Sequence, residues 1–357
     1  MILAPYAPGD KTKHEYTIGV PEVQIGQQVP CEKIGFYFIN SQISLHKSER
    51  FRSNRYLCRI TINGLTLDIY SNYPRTNVYT PNKLTVYVEA FYMDGGRITL
   101  SLLKNHPAFI ALCISIKLIS TRPSEPVLFH GKNGSETVWK HFVRINRNSV
   151  LPINPESPYS WTGNGSEWCQ NGDSEILHDL VHTIASSANT AEISFSVDWY
   201  LKIVNSNLGG ESIVLTQVAL EGIAWWYLVA HKKAILASNY DNLKTGDWLR
   251  MMLSFMNIPA EVPKIFSHLL KLCNDQSFNF KLDGIADGPL AFVNTRNFIV
   301  HRSEKNLKKL QKIEGVAMQE VVSLGLWYLE TIILKLVGYK GKYYSRANND
   351  YNLTVLD

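Results

Sequence analysis

The hydrophobic pattern of this chain changes period near residue 190. Before that point apolar and polar residues alternate. Arg59-Ile-Thr-Ile-Asn63 and Leu65-Thr-Leu-Asp-Ile-Tyr70 flank an Asn63-Gly64 pair, the strongest short-range signal for a hairpin. Lys33 to Asn40 reads as a short aromatic strand. Leu84 to Tyr92, Asp94-Gly95-Gly96 and Arg97 to Leu102 predict a second hairpin, and Phe109 to Ile119 a further strand. Prolines 123, 126, 152, 155 and 158, set among Asn, Ser and Gly, predict long loops from about Thr121 to Ser186, with one strand near Trp139 to Ile145 and a short helix from Glu175.

After Thr190 the apolar spacing becomes three to four residues. Helices are predicted over Ala191 to Ser206, Glu211 to Lys233, Asp247 to Met256, Glu261 to Cys273, Gly288 to Arg302 and Gly315 to Val337. The fold class is therefore α+β in two domains: an antiparallel β-rich domain over 1–186, then an all-α bundle over 187–338. A basic, aromatic tail over 339–357 follows.

Composition narrows the class. With 45% hydrophobic and 19% charged residues the chain supports a packed core. A net charge of only +5 permits a nucleic-acid partner without demanding one. The five cysteines, Cys31, Cys58, Cys113, Cys169 and Cys273, share no metal-ligand spacing and read as reduced thiols. Met1 to Asp10 is broken by Pro5 and Pro8 and does not read as a signal peptide. The longest apolar run, Val218 to Ala230, contains Glu221 and looks too short to span a bilayer. A cytoplasmic protein without a membrane partner is expected.

Candidate chemistry lies in Phe292-Val-Asn-Thr-Arg-Asn-Phe-Ile-Val-His-Arg-Ser303. On a helix, Asn297 and His301 stand four residues apart on nearly one face, and Arg296 lies beside Asn297. Such groups suit metal-free RNA cleavage. An imidazole can exchange a proton with the ribose 2′-hydroxyl or the leaving 5′-oxygen, and a guanidinium can neutralise the scissile phosphate. The attacking hydroxyl exists only in RNA. No cofactor is called for, and no metal: His178 and His182 offer two imidazoles at i, i+4 but lack a third ligand.

The Arg296-Asn297-x-x-x-His301 pattern resembles the R-N-x-x-x-H motif of HEPN domains. The resemblance covers about Thr190 to Val337. It implies an all-α endoribonuclease, active as a homodimer or higher even oligomer, that leaves a cyclic phosphate. A β-rich leader joined to such a domain looks like defence proteins of the ApeA type, acting against phage or in abortive infection. His301 would be the acid–base, Arg296 the phosphate stabiliser and Asn297 the positioning group. The N-terminal domain would meet a trigger ligand or phage protein. A catalytically silent adaptor that binds RNA, a nucleotide or a partner protein is the alternative.

Three further features extend this expectation. Glu221, alone in an apolar helix, reads either as a catalytic partner of Arg296 or His301 or as a snorkelling or interface acid. Arg302, Lys305, Lys308, Lys309 and Lys312 read either as an RNA-phosphate guide or as a solvated face. Trp225, Trp226 and Tyr227 read as core or dimer packing or as a base-stacking surface, and the tail as an RNA or subunit contact.

Overall fold

The computed structural model describes residues 22–39, 55–71, 84–121, 124–143, 173–206, 209–348 and 353–356. The expected order holds: an antiparallel sheet region comes first and a helical region second. Met1 to Asp10, the Pro152 to Pro158 loops and Cys169 lie outside the described residues.

The sheet is built from β1 (Glu22–Ile25), β2 (Lys33–Ile39), β3 (Arg55–Ile62), β4 (Leu65–Ser71), β5 (Leu84–Tyr92), β6 (Pro126–Asn133) and β7 (Glu136–Val143). Helices α1 (Leu100–Asn105) and α2 (Pro107–Ser120) interrupt it in sequence between β5 and β6. The strand order is β1-β7-β6-β2-β5-β4-β3, and every neighbouring pair is antiparallel. The Asn63-Gly64 hairpin forms as expected: Ile62 faces Leu65 across it, and both turn residues take positive φ, 48° and 81°. Ile34, Phe36, Phe38, Val86, Val88, Leu67 and Ile69 alternate onto one face and form its core.

Two predicted strands are corrected. Phe109 to Ile119 is the body of α2. Pro107 occupies its first turn, and the His106 ring accepts a hydrogen bond from the Ala108 amide. The helix is buried on most of its circumference, so its apolar residues carry no helical period to read. Arg97 to Leu102 pairs only through Ile98 with Cys31, because Thr99 caps α1 by accepting from the Leu102 amide. Strand β6 falls where loops were expected, and it joins β7 through a turn at Gly134 (φ 57°).

The helical region comprises α3 (Asp173–Ala185), α4 (Thr190–Val204), α5 (Gly210–Trp225), α6 (Ala237–Tyr240), α7 (Thr245–Phe255), α8 (Ser267–Asn274), α9 (Gly288–Val300), α10 (Glu304–Ile313) and α11 (Val316–Leu336). A π-helical turn, Trp226–His231, extends α5. Two short ribbons complete the fold, β8 (Lys281–Leu282) with β9 (Ile285–Ala286), and β10 (Lys342–Tyr344) with β11 (Leu353–Val355). The predicted helix from Glu261 begins only at Ser267. Glu261 bridges to Asp287 and the Val262 amide bonds to the Ala286 carbonyl, so that backbone is committed elsewhere. Helix α10 replaces what had read as a lysine run.

The bilayer-length expectation is also corrected. Gly210–His231 and Val316–Leu336 are both long and apolar enough to cross a membrane by length and composition. The apolar stretch of the second is 72% buried inside the fold, as befits a central core helix, and that of the first 50%. Helix α11 packs against α4, α5, α8 and α9.

Of the stretch read as a tail, 339–357, the described residues 339–348 and 353–356 include Arg346, which reaches back to this bundle. Glu330 of α11 is almost wholly buried. It receives the Arg346 guanidinium at both oxygens (2.8 and 2.9 Å) and the Tyr200 hydroxyl at 2.7 Å. Burial opposes the Arg346 charge, but Glu330 outweighs it and holds the guanidinium above its usual pKa.

Candidate phosphate-binding site

Helix α9 is anchored at its first turn. Asp287 caps it by accepting from the Leu290 amide at 2.7 Å, and Pro289 presets the backbone. Asp287 is buried, and Arg250 of α7 offsets that burial with two hydrogen bonds of 2.9 and 3.1 Å. Close packing then fixes the helix against α11. A Cβ at Gly288 would strike the Tyr328 hydroxyl, and one at Gly325 would strike the Phe292 ring. Ile299, near the far end, meets Gly210 at the start of α5.

Arg296 sits one turn before that end and is half-buried. Its Nη1 donates to Asn297 Oδ1 at 3.2 Å. Its Nε is fully buried and has no hydrogen-bond partner. Among the described residues no carboxylate lies within ion-pair distance of it. The buried Nε has lost water without gaining an acceptor, which is costly unless one arrives from outside.

His301 terminates the helix. Its backbone amide bonds to the Asn297 carbonyl at 2.9 Å, and its own carbonyl accepts from Asn306 Nδ2 at 2.6 Å. Its side chain is exposed, and no described residue bonds to the imidazole. Arg296 and Asn297 are thus brought together, while His301 is tied to Asn297 through the backbone only.

Glu221 is not brought to them. It stands exposed on α5, with no ion pair among the described residues, and only its backbone carbonyl is engaged, by the Tyr240 hydroxyl at 3.3 Å. Contrary to expectation, Glu221 needs no buried partner, because water already solvates it. The same reasoning, a lone acid in an apolar helix, applies instead to Glu330, which sequence reading passed over. Asp287 also left a signal, since Asp-Gly-Pro is a helix-start pattern.

The basic residues after the motif divide. Lys308 pairs with Glu304 (2.7 Å) and Lys312 with Asp275 (3.1 Å). Lys309 lies over the Phe298 ring at 4.7 Å, and burial, then Lys305, lowers its pKa. Arg302 and Lys305 are exposed. The α9–α10 edge therefore presents two exposed cations, Arg302 and Lys305, close after Arg296 in sequence.

His178 and His182 do approach, with ring centroids 4.4 Å apart. No group of three or more metal-binding side chains exists among the described residues. Trp226 and Tyr227 pack with His231 inside the π-turn, and Trp225 is exposed.

Residues 187–355 match the family of the YopA C-terminal domain. The matched segment contains α4 to α11 and both strands of the terminal ribbon, just under half of the chain. A curated relative, the SPbeta prophage-derived uncharacterized protein YopA of Bacillus subtilis (strain 168), is 32% identical over 151 residues. That alignment takes in 42% of this chain and 31% of the relative, so the chain spans about a third of that protein's length. No solved structure matches. The HEPN resemblance, and the ApeA likeness built on it, are thereby overturned: the segment bearing Arg296, Asn297 and His301 matches the YopA family and not a HEPN family. Three specified positions across two helical turns are too few to define a fold, since any amphipathic helix end can carry them.

Proposed function

We propose that the α9–α10 edge of the YopA-like segment binds RNA through its phosphates, and that two copies of the chain together cleave it without a metal. The observation that supports this reading is Arg296, half-buried, with no carboxylate in ion-pair distance and no acceptor for its buried Nε among the described residues. A phosphate supplies both the charge and the acceptor. His301 is exposed beside the same helix end, and an imidazole is the side chain best suited to general acid–base work. One imidazole cannot serve at once as base and acid, so a second copy completes the set. Homodimerisation suits the exposed Phe195, Val218 and Trp225 on α4 and α5, whose first residue adjoins the end of α9. The protein would act in the cytoplasm. The relative's prophage origin fits a role in phage–host conflict, as defence or abortive infection, with the N-terminal domain meeting the trigger.

The test is incubation of the purified chain with end-labelled RNA in EDTA. Cleavage that disappears in His301→Ala supports the nuclease. Retained RNA binding without cleavage assigns the chain to the silent-binder alternative. Cleavage unchanged in His301→Ala and Arg296→Ala refutes the site.

A further inference from the structure

The second face of the sheet, opposite the one that carries the apolar core, bears three ordered rows of side chains. Register places Tyr70, Tyr87 and Tyr37 side by side across β4, β5 and β2. The next row runs Arg59, Asp68, Glu89, Gly35, His130 and Lys140 across six strands. The third includes Phe91, Lys33 and Lys132.

These rows are held rigidly. Tyr37 packs on Tyr87 at 4.6 Å and Tyr70 flanks it at 5.8 Å. Gly35 has no side chain where His130 and Tyr87 close over the strand; a Cβ there would collide with both. The Tyr87 hydroxyl donates to Glu89 at 2.7 Å and accepts from Lys132 at 3.0 Å. Tyr87 and His130 are buried, whereas Tyr37 and Tyr70 keep part of their rings at the surface. Four cations, Lys33, Arg59, Lys132 and Lys140, stand on this face against two carboxylates, Asp68 and Glu89, so it is net positive.

We infer that this sheet face is a binding platform for single-stranded nucleic acid. Bases stack on Tyr37 and Tyr70, and phosphates meet the cations of the adjoining rows. Two features favour this occupant. The surplus charge complements a polyanion. Aromatic rings beside cations on an ordered sheet receive any base, because every base has a π-face. The platform lies outside the YopA-matched segment and goes beyond the α9 reading, since it requires no cleavage.

The experiment measures fluorescence anisotropy of a short labelled 2′-O-methyl oligouridylate with the full chain across a salt series. The probe lacks the attacking hydroxyl, so loss of nuclease activity and loss of this platform are scored separately. Tyr37→Leu is expected to weaken binding by about fivefold or more, the loss of one stacked base. Lys140→Gln, at an exposed position that tolerates the change, is expected to lower the salt slope by about 0.7, the loss of one single-strand phosphate contact. Absence of binding by the wild type overturns the inference. So does wild-type affinity in a folded Tyr37→Leu chain or, should that variant not fold, an unchanged slope in Lys140→Gln. Complete loss of binding in Arg302→Gln/Lys305→Gln alone also overturns it, by assigning all binding to α10.

Discussion

Arg346 reaches Glu330 with both ends of its guanidinium fork, at 2.8 and 2.9 Å, where neither side chain meets more than a trace of water. The contact joins the end of the chain to the middle of α11, and Tyr200 of α4 is its third member. A buried pair of this kind contributes little relative to apolar packing, but removing one partner strands the other. Arg346→Ala should therefore cost about 3–5 kcal/mol in urea unfolding. Arg346→Met combined with Glu330→Leu should cost less than either single change. Equal or additive losses would show that the pair is not coupled.

The α9 cap gives a smaller and more local prediction. Asp287→Ala removes the acceptor for the Leu290 amide and both Arg250 bonds. A lost cap costs about 1 kcal/mol, up to about 2, and Arg250, left with Asp247 as its remaining carboxylate partner, adds to it. Hydrogen exchange should quicken first at Leu290 and Ala291, before the rest of the bundle opens.

At Arg296 stability and binding should separate. Arg296→Met keeps the apolar stem and removes a charge that no described residue neutralises. Unfolding free energy should stay within about 0.5 kcal/mol of wild type, or rise. The salt dependence of RNA binding should fall by about 0.7 in log–log slope. A large destabilisation would mean that the guanidinium already has an anion within the fold.

His130 predicts a pH response. Burial, then Lys132, lowers its pKa from 6.5 to about 4, although Glu89 opposes this. The unfolded chain thus binds a proton that the folded chain refuses between those values. Stability contributed by the neutral ring is complete above pH 6.5 and declines as pH falls towards 4, by on the order of 2–3 kcal/mol. His130→Gln should flatten the melting temperature over that window. An unchanged slope would place the acid sensitivity elsewhere.

Glu221 offers a control. It is exposed and pairs with nothing described, so Glu221→Gln should leave stability within about 0.5 kcal/mol and RNA cleavage unaltered.

Much of the architecture was legible because period reports burial. The Asn63-Gly64 hairpin and a helix such as α7 each bury one face, and alternation or three-to-four spacing marks that face directly; α11, buried nearly all round, was legible from its length instead. Helix α2 was illegible for the converse reason: buried nearly all round, it has no polar stripe to break its apolar run. The site was legible only in part. Arg296 and Asn297 are neighbours on one turn, so local sequence placed them together. Glu221 and Glu330 look alike as isolated acids among apolar residues, and the difference lies in which helix face meets solvent. The tertiary partner Arg346, sixteen residues beyond Glu330, is beyond any local reading.

Helix α2 has one more effect. Lys117 donates to Asp198 of α4 at 3.2 Å, and the Thr121 carbonyl accepts from Asn205 at the end of α4 at 3.2 Å. A segment encoded before residue 122 thus plugs the flank of the YopA-like bundle. Excising 187–355 as a free fragment would uncork that flank and bare an oily strip to water. Any protein that carries the same bundle behind a different leader must bring its own stopper.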